Sequence, residues 1–268
     1  MSDYPDSEYP GEEPRPGMPP AYGTAGAPPV VRPAARPTPY VTYAIMGVTA
    51  AVFLLQLLAG FLLRGCTIMT GCVDLVTLLG FKVNSLILSG QVWRLITPVL
   101  LHGILVHIGF NMYALFILGP GLERVYGHGR FLLLYLVSAF AGNVFSFLFS
   151  ESSSLGASTA IFGLVAAQGV FVYLNRGYFR NPAALIRSTV MVVVINLILG
   201  LSPTIDNFGH LGGLLGGLLF AYLGGPKLTT VAEMGYYKTR DTRGLPQTLL
   251  AAAAVVLLFA VAAWTRFV

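Results

Sequence analysis

Residues 152–165 read SSSLGASTAIFGLV, a run of hydroxyl-bearing residues leading straight into an apolar stretch fit for a bilayer. Ser158 and Thr159 stand at the opening of that stretch. Small hydroxyls pack membrane helices together, and that is the plain account of such a pair. The other account makes Ser158 a nucleophile, and the surrounding chain has to decide between them.

Of the 268 residues, 55% are hydrophobic and 10% are charged, with a mean hydropathy of +0.73. Soluble domains carry roughly a quarter charged residues, so this is the composition of a membrane protein. The net charge of +5 does not point to nucleic acid, because the sequence contains no Lys/Arg-rich run. Basic residues at the cytosolic edges of membrane helices account for the excess. Cys66 and Cys72 are too few ligands for a zinc site. A short disulfide in an oxidising compartment and two free thiols fit their spacing equally well. The first forty residues hold 11 of the 17 prolines, no apolar run and no signal peptide. That composition predicts a disordered, Pro-rich cytoplasmic tail over 1–40.

Apolar stretches of spanning length follow at about 41–63, 97–119, 129–149, 156–175, 185–202, 206–225 and 247–265. They predict an all-α membrane protein, a polytopic bundle of six helices over 41–226, a cytoplasmic loop over 227–246 and a seventh helix within 247–268. The fourth to sixth spans are short or glycine-interrupted, which suggests burial inside the bundle. Loop charge sets the orientation. With the N-terminus inside, twelve Lys/Arg fall on inner segments and four, Arg64, Lys82, Arg94 and Arg266, on outer ones. The long loop 64–96 is then external, and its apolar content predicts that it lies partly in the membrane interface.

Polar groups inside spans are costly and carry functional suspicion. His102, His107 and Asn111 fall in the second span, Ser158 and Thr159 open the fourth, and His210 opens the sixth. His107 and Asn111 are four residues apart and share a helix face. A serine nucleophile needs a base and needs donors aimed at the developing oxyanion. Ser158, His210, His107 and Asn111 supply that set near one membrane face. Alone, each is more simply a helix-packing residue; together they favour chemistry. No acidic residue sits deep in a predicted span, so a Ser/His dyad is favoured over a triad. Asp206, four residues before His210, reads as the N-cap of the sixth helix. Gly209, Gly213 and Gly217 recur every fourth residue, and Gly156, Ala160, Gly163 and Ala167 form a similar stripe. Two such faces allow close helix approach.

Over about residues 91–226 the chain resembles the rhomboid family of intramembrane serine proteases. The matching residues are Trp93-Arg94, His107 and Asn111 in HGILVHIGFN, Gly119, Glu123 and Gly127 in GPGLERVYG, Gly156-Ala157-Ser158, and His210, Gly213 and Gly217 in GHLGGLLGG. The resemblance implies a six-helix catalytic core with the serine at the base of a water-filled cavity opening outward, and no metal or cofactor. It implies Ser158 as nucleophile and His210 as general base and then acid. His107, Asn111 and the Ser158 backbone N–H would stabilise the oxyanion. It also implies single-span membrane-protein substrates, with membrane lipids as the other partners, and a bacterial plasma membrane fits the N-in orientation. Trp93 and Arg94 are expected to hold the external loop to the core, and Glu123 to tie helix ends on the inner side.

Two positions depart from the family pattern. Thr159 stands where Gly-x-Ser-Gly has its last glycine, and a β-branched residue there is expected to crowd the oxyanion site. Phe162 replaces a common tyrosine whose ring packs on the histidine, keeping the ring face and losing the hydroxyl. Thr159 also keeps open the alternative of a catalytically inactive rhomboid-like protein that binds membrane clients. A transporter would need matched repeats with broken helices, and the two halves show none.

Overall fold

The computed structural model describes residues 38–62, 73–202, 204–233 and 236–268. The Pro-rich tail up to residue 37 and both cysteines lie outside the described residues. The order of elements is α1 (Tyr40–Leu62), α2 (Leu75–Gly80), α3 (Asn84–Leu88), α4 (Leu105–Tyr126), α5 (His128–Phe149), α6 (Ser158–Leu174), α7 (Pro182–Leu199), α8 (Asn207–Gly224), β1 (Leu228–Glu233), β2 (Tyr236–Asp241) and α9 (Leu245–Trp264). This is a polytopic helical bundle of six core helices with a seventh after them. Helices α1, α4, α5, α7 and α9 are long and apolar enough to cross a membrane. The 17-residue α6 and the 18-residue α8 form the centre with α5.

The fifth predicted span departs from its expected burial, because α7 has no buried residue and packs mainly on α6. A helix that is apolar all round is at no disadvantage facing lipid, since acyl chains solvate Val and Ile as well as a protein core does. The second span starts later than its hydropathy predicts. Residues Thr97–Leu100 form a 3₁₀ turn around Pro98, and Leu101 and Ile104 are extended. His102 therefore precedes α4 instead of lying within it. Helix α4 then runs through Pro120 to Tyr126 and stops at Gly127, whose φ of +76° suits glycine.

The stretch 227–246 is more than a loop. Strands β1 and β2 pair antiparallel from Leu228↔Asp241 to Glu233↔Tyr236, in keeping with their β-branched and aromatic content. Arg130 pairs with Asp241, and Asn175 bonds Pro226 O and Leu228 N at 3.0 and 2.6 Å, pinning the hairpin to the bundle.

In the loop before α4, Arg94 donates to Leu78 O and Phe81 O, both at 2.8 Å, and Trp93 Nε1 donates to Leu79 O at 3.1 Å. These residues fold the loop onto itself, where the sequence suggested an anchor to the core.

Glu123 ties helix ends together as expected. Its buried carboxylate accepts from Val41 N at 2.9 Å, Thr42 N at 2.7 Å, Thr42 Oγ1 at 2.6 Å and His128 Nδ1 at 2.5 Å. The first N–H groups of a helix have no intrahelical partner, and here another helix supplies a negative charge to them. Gly119 makes the approach possible, since a Cβ there would lie 2.5 Å from Thr42 Cγ2. Replacing Glu123 by Ala should destabilise the bundle by roughly 2–4 kcal/mol, seen as a lowered thermal midpoint in detergent, because the buried N–H groups lose their acceptor.

Candidate active site

Ser158 opens α6 and His210 lies in the first turn of α8. Ser158 Oγ is 3.0 Å from His210 Nε2. With the hydroxyl donating, Nε2 is the unprotonated nitrogen and the imidazole proton sits on Nδ1. Nδ1 has no hydrogen-bond partner among the described residues. Asp206 is the N-cap of α8, accepting from Gly209 N at 2.9 Å and from Ser146 Oγ. Its carboxylate is thus committed to capping, and Ser158 and His210 meet without an acidic third partner among the described residues. Phe162, one turn beyond Ser158, lays its ring on His210 with centroids 4.3 Å apart and planes at 13°. That stack fixes the imidazole plane without a hydroxyl.

The short Ser158–His210 distance depends on the meeting of α6 and α8. A Cβ at Gly213 would collide with the Thr159 carbonyl, and one at Gly217 with Gly163 Cα. On the other side of α8, a Cβ at Gly212 would strike Phe145, and one at Gly216 would strike Ala141. Helix α8 is thereby wedged between α5 and α6 at backbone contact, as small-residue stripes permit.

His107 and Asn111 reach the chain just before the serine. Gly156 has φ +130°, and a Cβ there would lie 2.7 Å from His107 Nε2 and 3.7 Å from Asn111 Nδ2. A side chain at 156 would therefore displace the very groups that could meet an oxyanion, and the backbone shape is one that glycine tolerates best. Ser158, His210, His107, Asn111, Gly156, Phe162 and Gly213 all gather at this end of the bundle.

Thr159 also lies there, but its side chain does not crowd the site as the sequence predicted. It is buried against Gly142 of α5, where a Cβ would lie 2.6 Å from Thr159 Cβ, and against Gly209, where one would lie 3.1 Å from Cγ2. His107 and Asn111 come instead from the α4 side. The glycine expected beside the nucleophile is in effect moved to position 142 on the neighbouring helix.

Two residues gain a place that spacing alone did not give them. His102 Nε2 lies 3.0 Å from Asn111 Nδ2 and 3.4 Å from Ala157 N, so it aligns the Asn111 amide with the turn that leads into Ser158. Its ring also meets the edge of His107, with centroids 5.0 Å apart. The His102 backbone is held in turn by Gln56 of α1, whose amide accepts from His102 N at 3.2 Å and donates to His102 O at 3.1 Å. Polarity inside a span was the available signal for Gln56. Among the described residues, no cluster of three His, Cys, Asp or Glu side chains has a metal-holding arrangement.

A family model for the rhomboid domain matches residues 89–227, slightly more than half of the chain. The chain belongs to the rhomboid family. The match takes in α4 to α8 and leaves α1 and α9 outside it. The rhomboid protease GluP of Bacillus subtilis (strain 168) is 41% identical over 209 residues, covering 76% of this chain and 38% of that protein. RHOMBOID-like protein 4 of Arabidopsis thaliana is 38% identical over 152 residues, 56% of this chain and 39% of the relative. RHOMBOID-like protein 1 of the same plant is 36% identical over 160 residues, 59% and 40%. This rhomboid thus spans about two-fifths of the length of these curated relatives. It is an integral, multi-pass membrane protein.

Gly213→Ala should lower the thermal midpoint by an amount equivalent to about 1–3 kcal/mol, the usual cost of overpacking. Gly121→Ala, where a Cβ meets nothing within 4 Å, should leave it unchanged.

Proposed function

We propose that this rhomboid is an intramembrane serine endopeptidase that cleaves single-span membrane proteins near the outer face of the bilayer. The observation that carries the proposal is the 3.0 Å contact between Ser158 Oγ and His210 Nε2 in a setting where α8 is packed backbone to backbone. Similarity to a rhomboid protease of Bacillus subtilis supports it.

In the proposed reaction, Ser158 Oγ attacks the scissile carbonyl while His210 Nε2 takes the hydroxyl proton. The oxyanion gathers the His107 ring, the Asn111 amide and the Ser158 N–H, and each such donor is worth about 10²–10³ in rate in well-studied hydrolases. His210 returns its proton to the leaving amine, giving an acyl-enzyme and a free amino terminus. Water, activated by the same imidazole, hydrolyses the ester and restores Ser158.

A substrate helix has its peptide bonds hydrogen-bonded and shielded, so it must open before attack. In lipid each freed backbone group costs several kcal/mol, which favours sites with helix-breaking residues. A cavity of about 110 Å³ between α4, α6 and α7 is lined by Leu118, Ile161, Val165, Val192, Asn196 and Phe162, the residue whose ring stacks on His210. We take it as the side from which an unwound segment arrives. The asymmetry of loop Lys and Arg supports an N-terminus inside, an orientation that fits a bacterial plasma membrane. The alternative of an inactive client binder drew on Thr159, and the packing of that side chain against Gly142 and Gly209 weakens its ground.

The test is cleavage of a single-span substrate in proteoliposomes by wild type, Ser158→Ala and His210→Ala. Cleavage by wild type alone, faster for a substrate span with a central Gly-Pro than for a poly-Leu span, is the expected result. A folded wild type that cleaves neither substrate would overturn the proposal.

A further inference from the structure

Helix α5 ends at Phe149 and α6 begins with Ser158, so residues 150–157 are the linker that delivers the nucleophile. The last carbonyls of a helix have no partner within it, and at a membrane edge they must find one elsewhere. Three side chains from distant segments meet them. Lys82 Nζ donates to Ser150 O at 2.7 Å and Ser152 O at 2.9 Å. Asn84 Nδ2 donates to Ser150 O at 2.9 Å and Glu151 Oε2 at 2.9 Å. Arg266, which follows α9, donates to Phe147 O at 3.3 Å, Leu148 O at 3.2 Å and Glu151 Oε1 at 2.8 Å.

The linker itself runs along the loop before α4, bridged to it at Ser154. Lys82 N and O pair with Ser154 O and N at 2.9 and 3.2 Å, and Gly156 N donates to Pro98 O at 2.9 Å. Every second residue of the linker, 150, 152, 154 and 156, is therefore held by a hydrogen bond to the segment 82–98. Ala157 N then faces His102, and Ser158 follows. Lys82 is completely buried, a state that lysine rarely accepts without a dedicated role. Burial pushes its ammonium down to about 8, with Asp206 and Glu151 opposing that shift and Arg266 adding to it. The guanidinium of Arg266 lies 5.3 Å from the Phe147 ring centroid, so it too is seated and does not project freely. Positive charge at a helix C-terminus is favourable, and here two cations take that position.

We propose that Lys82 and Arg266 are positioning residues: they cap the C-terminus of α5 and hold the 150–157 linker so that Ser158 meets His210. Both lie outside the 89–227 family match. The seventh helix thereby has a task, which is to bring Arg266 to the end of α5. The kinetic part of this inference rests on the protease reading; the structural part does not.

The test combines amide hydrogen exchange of the full chain in nanodiscs with cleavage kinetics, for wild type, Lys82→Met, Arg266→Gln and Arg266→Lys. Removal of either cation should speed exchange over 150–157 by at least about tenfold, since carbonyl partners that fix the linker are lost. Exchange in α1 should stay unchanged, which separates loosening of the linker from global unfolding. The turnover number should fall by about tenfold while KM moves less than about twofold, because bound substrate would meet a misplaced serine. Arg266→Lys should recover most of the protection. Should Lys82→Met fail to fold, Arg266→Gln, at a partly exposed position, carries the test alone. Unchanged exchange over 150–157 in the folded variants would overturn the proposal. Loosened linkers in a protein whose wild type cleaves nothing would uphold the clamp and count against the protease reading instead.

Discussion

Everything at the candidate site depends on α6 and α8 touching through their backbones. Gly163 meets Gly217, and Gly213 meets the carbonyl of Thr159. In lipid there is no hydrophobic drive to press two apolar helices together, so close approach has to come from shape. Glycine supplies that shape at a known cost in helix propensity. What it gains here is geometric, because a serine and a histidine are two short side chains on different helices. With a methyl at any of these contacts the helices would separate, and a 3.0 Å hydrogen bond tolerates little separation.

A second constraint is that key polar groups around the site are held by other polar groups. Gln56 holds the His102 backbone, His102 orients Asn111, and Lys82 and Asn84 fix the chain that delivers Ser158. At the opposite end of α4, Glu123 does the same for the start of α1. Such groups are costly to leave unpaired in a water-poor setting, so each network specifies one arrangement. The loop before α4 is then part of the site's support, because Lys82 bridges Ser154 in the linker that leads to Ser158.

The number of long helices, their order and the gathering of Ser158, His210, His107 and Asn111 at one end were legible in the sequence. They were legible because polar residues are rare in apolar spans and therefore stand out. Other features escaped for physical reasons. Hydropathy continues unbroken through Thr97–Leu101, while Pro98 and the extended residues after it keep the chain from forming a helix until Leu105. Apolarity cannot tell a buried helix from one facing lipid, so the sequence does not show that α7 stands at the outside of the bundle. Lys82 counted only as a charge on an outer segment, since its partners are backbone carbonyls 68 and 70 residues away that no spacing encodes. The place of Thr159 is invisible to spacing because the room it occupies is created by Gly142, on a different helix.

The central claim is that Ser158 is an activated nucleophile, with His210 as the group that activates it. The most direct measurement is covalent labelling of the membrane-embedded protein by a fluorophosphonate, followed by peptide mapping of the adduct. The account predicts a single adduct on Ser158 in wild type and none in a folded His210→Ala variant. A folded wild type with no adduct, or labelling of Ser158 that persists undiminished without His210, would contradict it.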